Sequence, residues 1–271
     1  MRLIRRSTWL LLALATSLPL LPCAVAQQPA VAAESATVAE QYLFAAANQE
    51  RATRGLPLLH RDPLLVRGAA QHAQAMAERG TLSHQFPGEP TLPTRAANAG
   101  LAFSLITENV GVAPSAVEIH DLWMHSEHHR TNLLDPEVDA VGIRVIERSG
   151  QFYAVEDFAR TLRVLNIDQQ EAAIGALIAQ SSRSHSNRLE LVVDATASVD
   201  ARRTCAMSTG FAGARKPWFV QRFTTSDLTR LPAQLLTQLA SGRYHQAVVG
   251  ACATNSASPF ASYNFAVLLY P

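Results

Sequence analysis

The sequence predicts an α+β protein, and three observations carry that prediction. Helical patterning opens the first half, from Val38 and again from Asp62-Pro63. Two alternating segments, 141–147 and 151–158, are split by Ser149-Gly150 and read as a β-hairpin. Beyond Arg160 helical and strand patterns mix again, over a stretch long enough for a second small α+β unit. Apolar residues make up 48% of the 271-residue chain and charged ones 17%, so a substantial core can form.

The first helix is expected from Val38 to Arg54, where Gly55 stops it. Asp62 caps the second, and Pro63 takes its first position. Leu65, Ala69, His72, Ala73, Met76 and Ala77 recur at helical spacing. They give that helix one apolar face, which makes His72 a core histidine, and Gly80 ends it. Residues 81–107 contain Pro87, Gly88, Pro90 and Pro93 and read as a long irregular stretch with a short helix at 94–99. Such loops often carry function. Ser115 and Glu118 form a capping box that opens a third helix through Met124. In the second half helices are expected over 168–180, 195–207 and 228–240, and strands over 189–194, 247–251 and 265–270. The expected division is a first domain at 38–162 and a C-terminal accessory domain at 165–271. No internal repeat, low-complexity segment or flexible linker is legible.

The N-terminus sets the compartment. Arg2, Arg5 and Arg6 precede an apolar run over 9–21, and Ala24-Val25-Ala26 is a small-x-small cleavage site. Residues 1–26 thus read as a signal peptide cut after Ala26, giving a secreted or periplasmic protein. The run is short for a membrane span, so none is expected in the mature chain. Pro22 stands where lipidation of Cys23 needs a small residue. Cys205 and Cys252 remain and, in an oxidising compartment, read as a disulfide. Closing that loop contributes about 4 kcal/mol in the chain-entropy model. The net charge of +1 excludes any strong electrostatic draw toward nucleic acid. A monomer is expected.

His84, Glu108 and His129 are the residues with chemistry. They are read in or beside loops, away from apolar helix faces. Two imidazoles and a carboxylate are the minimum set for a divalent metal with open positions. They serve equally as general acid and base, with Glu108 orienting a histidine. Unrelated hydrogen-bonded residues are the third reading. His125 and His129 stand i, i+4, and share a face only if one helix runs through both. No nucleophile elbow, phosphate loop or HExxH is present.

Several patterns in order add to this. They are Asn48-Gln49-Glu50-Arg51 with Gly55-Leu56; His72 to Ala77; Ser83-His84; Thr107-Glu108-Asn109-Val110; and Trp123 through Ser126, His129-Arg130, Asn132 and Leu134. The last runs on into Val141-Gly142-Ile143 and Tyr153 to Asp157-Phe158. Together they resemble the CAP/SCP family (cysteine-rich secretory proteins, antigen 5, pathogenesis-related 1), its bacterial branch in particular, over about residues 40–160. The resemblance implies a three-layer α-β-α sandwich around a small antiparallel sheet. It also implies a cleft lined by His84, Glu108 and His129, with Asn132 beside them and Arg130 and Asp157 as braces. Many members carry a second Glu where this chain has Ser126; Glu127 is adjacent. The function so implied is a cleft-type binding module for a lipid, peptide or cell-envelope component. His84, Glu108 and His129 would then be its site for zinc or another divalent metal. The alternatives are a metal-dependent extracellular hydrolase assisted by Glu108, and a structural module of the envelope.

Overall fold

The computed structural model describes residues 36–184, 189–191, 195–253 and 258–271. The expected signal peptide lies outside them, as do residues 192–194 of the strand expected at 189–194.

Helix α1 (Val38–Thr53) opens on a capping box in which Thr37 and Glu40 satisfy each other's backbone N–H. After the two-residue strand β1 (His60–Arg61), Asp62 accepts from the N–H groups of Leu64 and Leu65 and starts α2 (Pro63–Arg79). Gly80 ends α2 in the left-handed region, at φ 61°. Next come α3 (Leu92–Asn98), β2 (Phe103–Ala113), α4 (Ala116–His125) and α5 (Glu127–Leu133). The half closes on β3 (Ala140–Arg148) and β4 (Gln151–Thr161). Ser149 and Gly150 join these two strands with positive φ at both, the twist a tight hairpin requires. The sheet order is β1-β3-β4-β2, with β1 parallel to β3 and the other pairs antiparallel.

This sheet is a middle layer. On one face α1 and α4 bury Leu43, Ala47, Ile119 and Trp123 against Val141, Ile143 and Phe158. On the other, Ala69, Ala73 and Met76 of α2 pack on Val110, Tyr153 and Val155. Gly142 lets the layers close, since a Cβ there would lie 2.2 Å from the backbone carbon of Leu65.

The second half is α6 (Ile167–Ser184), β5 (Glu190–Leu191), α7 (Ala195–Ala206), β6 (Phe219–Thr225), α8 (Ala233–Ala240), β7 (Gln246–Cys252) and β8 (Tyr263–Tyr270). Its sheet runs β5-β7-β8-β6 over its own buried cluster, which includes Ile174, Ile178, Leu235, Phe265 and Leu269. A disulfide between Cys205 and Cys252 ties α7 to β7. Helix α8 starts later than its leucine pattern because Pro232 sits at its cap. The halves touch where the Ala261 N–H donates to the Phe103 carbonyl (2.7 Å) and Phe260 meets the Phe103 ring (5.2 Å). Among the described residues no helix is long and apolar enough to cross a membrane.

One local expectation is corrected, and one question left open is answered. Glu108 lies in mid-strand, because β2 begins at Phe103, inside the stretch read as irregular. The third helix stops at His125, where Ser126 turns extended (ψ 124°), and α5 starts afresh. His125 and His129 are therefore on different helices.

Candidate functional site

The loop that carries His84 is fixed from below. His72, wholly buried on α2, places one ring nitrogen 2.7 Å from Glu89 Oε1 and the other 2.7 Å from the Ser83 carbonyl. Glu89 also accepts from the Phe86 N–H at 3.0 Å. Residues 83–89 are thus stapled to α2, and His84 projects outward with its side chain 62% exposed.

Strand β2 supplies the carboxylate. Glu108 Oε1 lies 2.9 Å from Nδ1 of His84, and its Oε2 pairs with the guanidinium of Arg95 from α3. The side chains of Arg95 and Glu108 are buried, so the pair must be matched to survive there. Asp157 stands opposite Glu108 in the ladder and is itself buried. Burial holds its carboxyl well above the usual range, helped by the charge of Glu108 and opposed by Arg95. Arg95 thus pairs with Glu108, and burial favours the protonated form of the Asp157 carboxyl.

Helix α5 supplies His129. Asn109 donates to the His129 carbonyl (3.0 Å) and accepts from Asn132 (3.0 Å), which also donates to the Glu108 carbonyl (3.1 Å). Arg130 donates to the Met124 carbonyl at 2.8 Å, tying α5 to α4. Arg51, buried on α1, donates to the carbonyls of Pro57, Leu133, Asp135 and Val138 and so anchors the far end of α5. Helix α4 sits close on β2 because Gly111 leaves room for Trp123, whose Nε1 donates to the Val110 carbonyl (2.9 Å).

The rings of His84 and His129 face each other with centroids 6.4 Å apart and planes 26° apart. Their environments pull in opposite directions. The hydrogen bond to Glu108 raises the His84 pKa, while burial, with the charges of His84 and His128, lowers that of His129. His84 therefore holds a proton at a pH where His129 has lost it.

Of the residues singled out from sequence, the structure brings His84, Glu108 and His129 together, with Asn132 bracing β2 from behind. Among the described residues no three His, Cys, Asp or Glu side chains are gathered as a metal ligand set. Both oxygens of Glu108 are engaged, and it orients His84 instead of standing beside it as a third ligand. Glu127 is exposed on α5. The Ser83 hydroxyl bonds the Gln85 backbone, not a histidine. Sequence reasoning missed Arg95 and Glu156, and read Asn109 only as part of the pattern at 107–110. Glu156, opposite Asn109, is wholly buried with no hydrogen-bond partner for either oxygen, and burial pushes its pKa up to about 8. The signal was there: Glu156-Asp157 are two consecutive acids flanked by apolar residues on both sides within the strand.

Comparison with known proteins places this arrangement. Residues 44–158 match the Cysteine-rich secretory protein family, CAP. The Bacillus subtilis (strain 168) uncharacterized protein YkwD is 27% identical over 117 residues, 43% of this chain and 46% of its own length. This chain thus spans under half of that relative. An extracellular protein containing a SCP domain from Bacillus anthracis aligns over 45% of this chain and 40% of its own, at 28% identity and a TM-score of 0.43. Na-ASP-1 aligns over 85% of this chain and 88% of its own, at 9% identity and a TM-score of 0.47. Over residues 44–158 the first half of the chain is thus similar to the cysteine-rich secretory protein (CAP) family, bacterial members included.

Proposed function

We propose that the first half, residues 38–162, is an exported binding module whose working surface is the facing pair His84 and His129, with residues 165–271 as an accessory domain. The observation that carries this is the support beneath the pair. A buried Arg95–Glu108 ion pair, a stapled loop and an anchored helix hold two imidazoles at a solvent-exposed rim. Two imidazoles suit a divalent cation such as zinc. With Nδ1 of His84 bonded to Glu108, Nε2 is the atom left to coordinate once a cation displaces the proton that Glu108 favours on this ring, while burial already keeps His129 neutral as a ligand must be. Catalytic zinc sites have three protein ligands. A two-histidine set favours a cation that helps hold an incoming lipid, peptide or envelope component over one that runs a hydrolysis. The hydrolase alternative needs a third ligand, supplied from outside this cluster.

Calorimetric titration of the purified protein with Zn²⁺ tests the reading. The expected result is micromolar binding that His84→Ala abolishes. A wild type that takes up no zinc sinks the metal reading and turns the search to apolar envelope ligands.

A further inference from the structure

We infer that residues 166–270 are a second copy of the fold built by residues 37–161, retained as scaffold after losing the site. The chain then carries one site on two scaffolds.

Topology is the first support. The first half runs α1, β1, α2, β2, α4, β3, β4, with α3 and α5 as additions, and its sheet order is β1-β3-β4-β2. The second runs α6, β5, α7, β6, α8, β7, β8, and its sheet order is β5-β7-β8-β6. Each strand of one sheet maps onto the strand of the same rank in the other. Each sheet has a two-residue edge strand as its sole parallel partner among the described residues, and each ends on an antiparallel hairpin. Two unrelated small sheets have no reason to share order, strand sense and helix placement together.

Local packing is the second support. Gly142 on β3 presses on α2, where an added Cβ would meet the Leu65 backbone at 2.2 Å. Gly250 on β7 presses on α7, where a Cβ would meet the Ala201 backbone at 2.1 Å. Both opening helices begin with a reciprocal side-chain cap, Thr37 with Glu40 and Asn166 with Gln169. Near the start of each, a carboxylate accepts a backbone N–H from the third strand: Glu40 from Val145 (3.2 Å), Glu171 from Ala251 (2.9 Å).

Matching Gly142 to Gly250 sets the equivalence across both sheets. Gly142, Asp157 and Glu108 lie in one row, and Gly250, Ala266 and Arg222 in the matching row. The next row reads Ile143, Glu156 and Asn109 in the first sheet, and Ala251, Phe265 and Phe223 in the second. The site carboxylate is thus replaced by Arg222, which donates to the carbonyls of Thr204 and Gly210. The elements with no counterpart among the described residues of the second half, α3 and α5, are those that bear Arg95 and His129.

The equivalence makes a prediction in which no ligand enters, so it stands or falls apart from the metal reading. If Leu65 matches Ala201 and Gly142 matches Gly250, then Ala69 and Arg144 occupy the places of Cys205 and Cys252. The double variant Ala69→Cys/Arg144→Cys should form a second disulfide on air oxidation, seen as a linked peptide pair in an unreduced digest, with Cys205–Cys252 still paired. A folded variant whose two new thiols remain open to alkylation overturns the inference. If the variant does not fold, an experimental structure of the unaltered chain decides. Superposition of the two sheets through Gly142 and Gly250 supports the copy, and any other strand order in the second half refutes it.

Discussion

Replacing Glu156 by Gln isolates a carboxyl that nothing in its surroundings welcomes. Both its oxygens are buried without a well-formed hydrogen bond; burial holds its pKa up to about 8, and the nearby Asn109 amide offsets only part of that. In the unfolded chain the same group titrates near 4.5. Between those pH values the native protein keeps a proton that the unfolded chain has released. The folded state binds more protons, so stability falls as pH rises through the window, by about 1.4 kcal/mol per pH unit. The loss over the window is about 4–5 kcal/mol, a large share of the roughly 5–15 kcal/mol that holds a domain together. Below the window both states are protonated and above it both are ionised, so the contribution is flat on either side. The Glu156→Gln substitution keeps the shape of the side chain and removes the titration. Urea unfolding of both proteins by circular dichroism, from pH 5 to 8, reads the difference, and other titrating groups such as Asp157 cancel in it. The variant should gain on the wild type steadily and be the more stable protein at pH 8. Parallel profiles would mean that the native carboxyl is ionised and partnered, and would refute the reasoning.

Two further predictions concern the support under the imidazoles. Arg95→Met leaves Glu108 buried beside Asp157 without a cation and should cost about 3–5 kcal/mol in chemical denaturation; adding Glu108→Gln should recover more than half of that, and strictly additive losses would dissolve the pair. In an NMR titration, Glu108→Gln should lower the midpoint of His84, because the bond to Glu108 is what raises it. An unmoved His84 midpoint would mean that the two groups do not meet in solution.

How much of this was legible in the sequence depended on whether the signal was local. The caps at Asp62 and Ser115, the stop at Gly80 and the turn at Ser149-Gly150 are written in consecutive residues and appear where expected. Strand β2 was not legible at its start, because Phe103 to Thr107 shows no clean alternation and follows a proline-rich stretch. Its hydrogen bonds come from β4, some fifty residues away in sequence. The disulfide needed only two cysteines and a compartment, and the structure pairs Cys205 with Cys252. The candidate residues His84, Glu108 and His129 could be picked out because a family pattern marks them. Arg95 could not be, since an arginine on a seven-residue helix looks solvated until Glu108 is found beneath it. The repeated architecture left no trace in the sequence because its determinants are spread thinly. They are a glycine on the third strand, a carboxylate near the start of the first helix, and apolar residues at alternating positions that many sequences supply.

The second sheet also separates what the fold needs from what the site needs. A row of Phe223 and Phe265 builds the same ladder as Asn109 and Glu156, and Ala266 stands where the first sheet buries Asp157. Apolar or small residues are the easier choice in a buried strand, because an unpaired polar group there costs free energy that packing does not return. The first sheet therefore carries three acids, Glu108, Glu156 and Asp157, that its architecture does not demand. Two of them stay protonated only because burial holds their pKa up. They flank the strand pair from which His84 and His129 are held, Asp157 beside Glu108 on the α2 face and Glu156 beside Asn109 on the other. Destabilising groups gathered around one pair of imidazoles, His84 exposed and His129 half-buried, and absent where the pair is absent, mark that pair as what the first half of the chain is built to present.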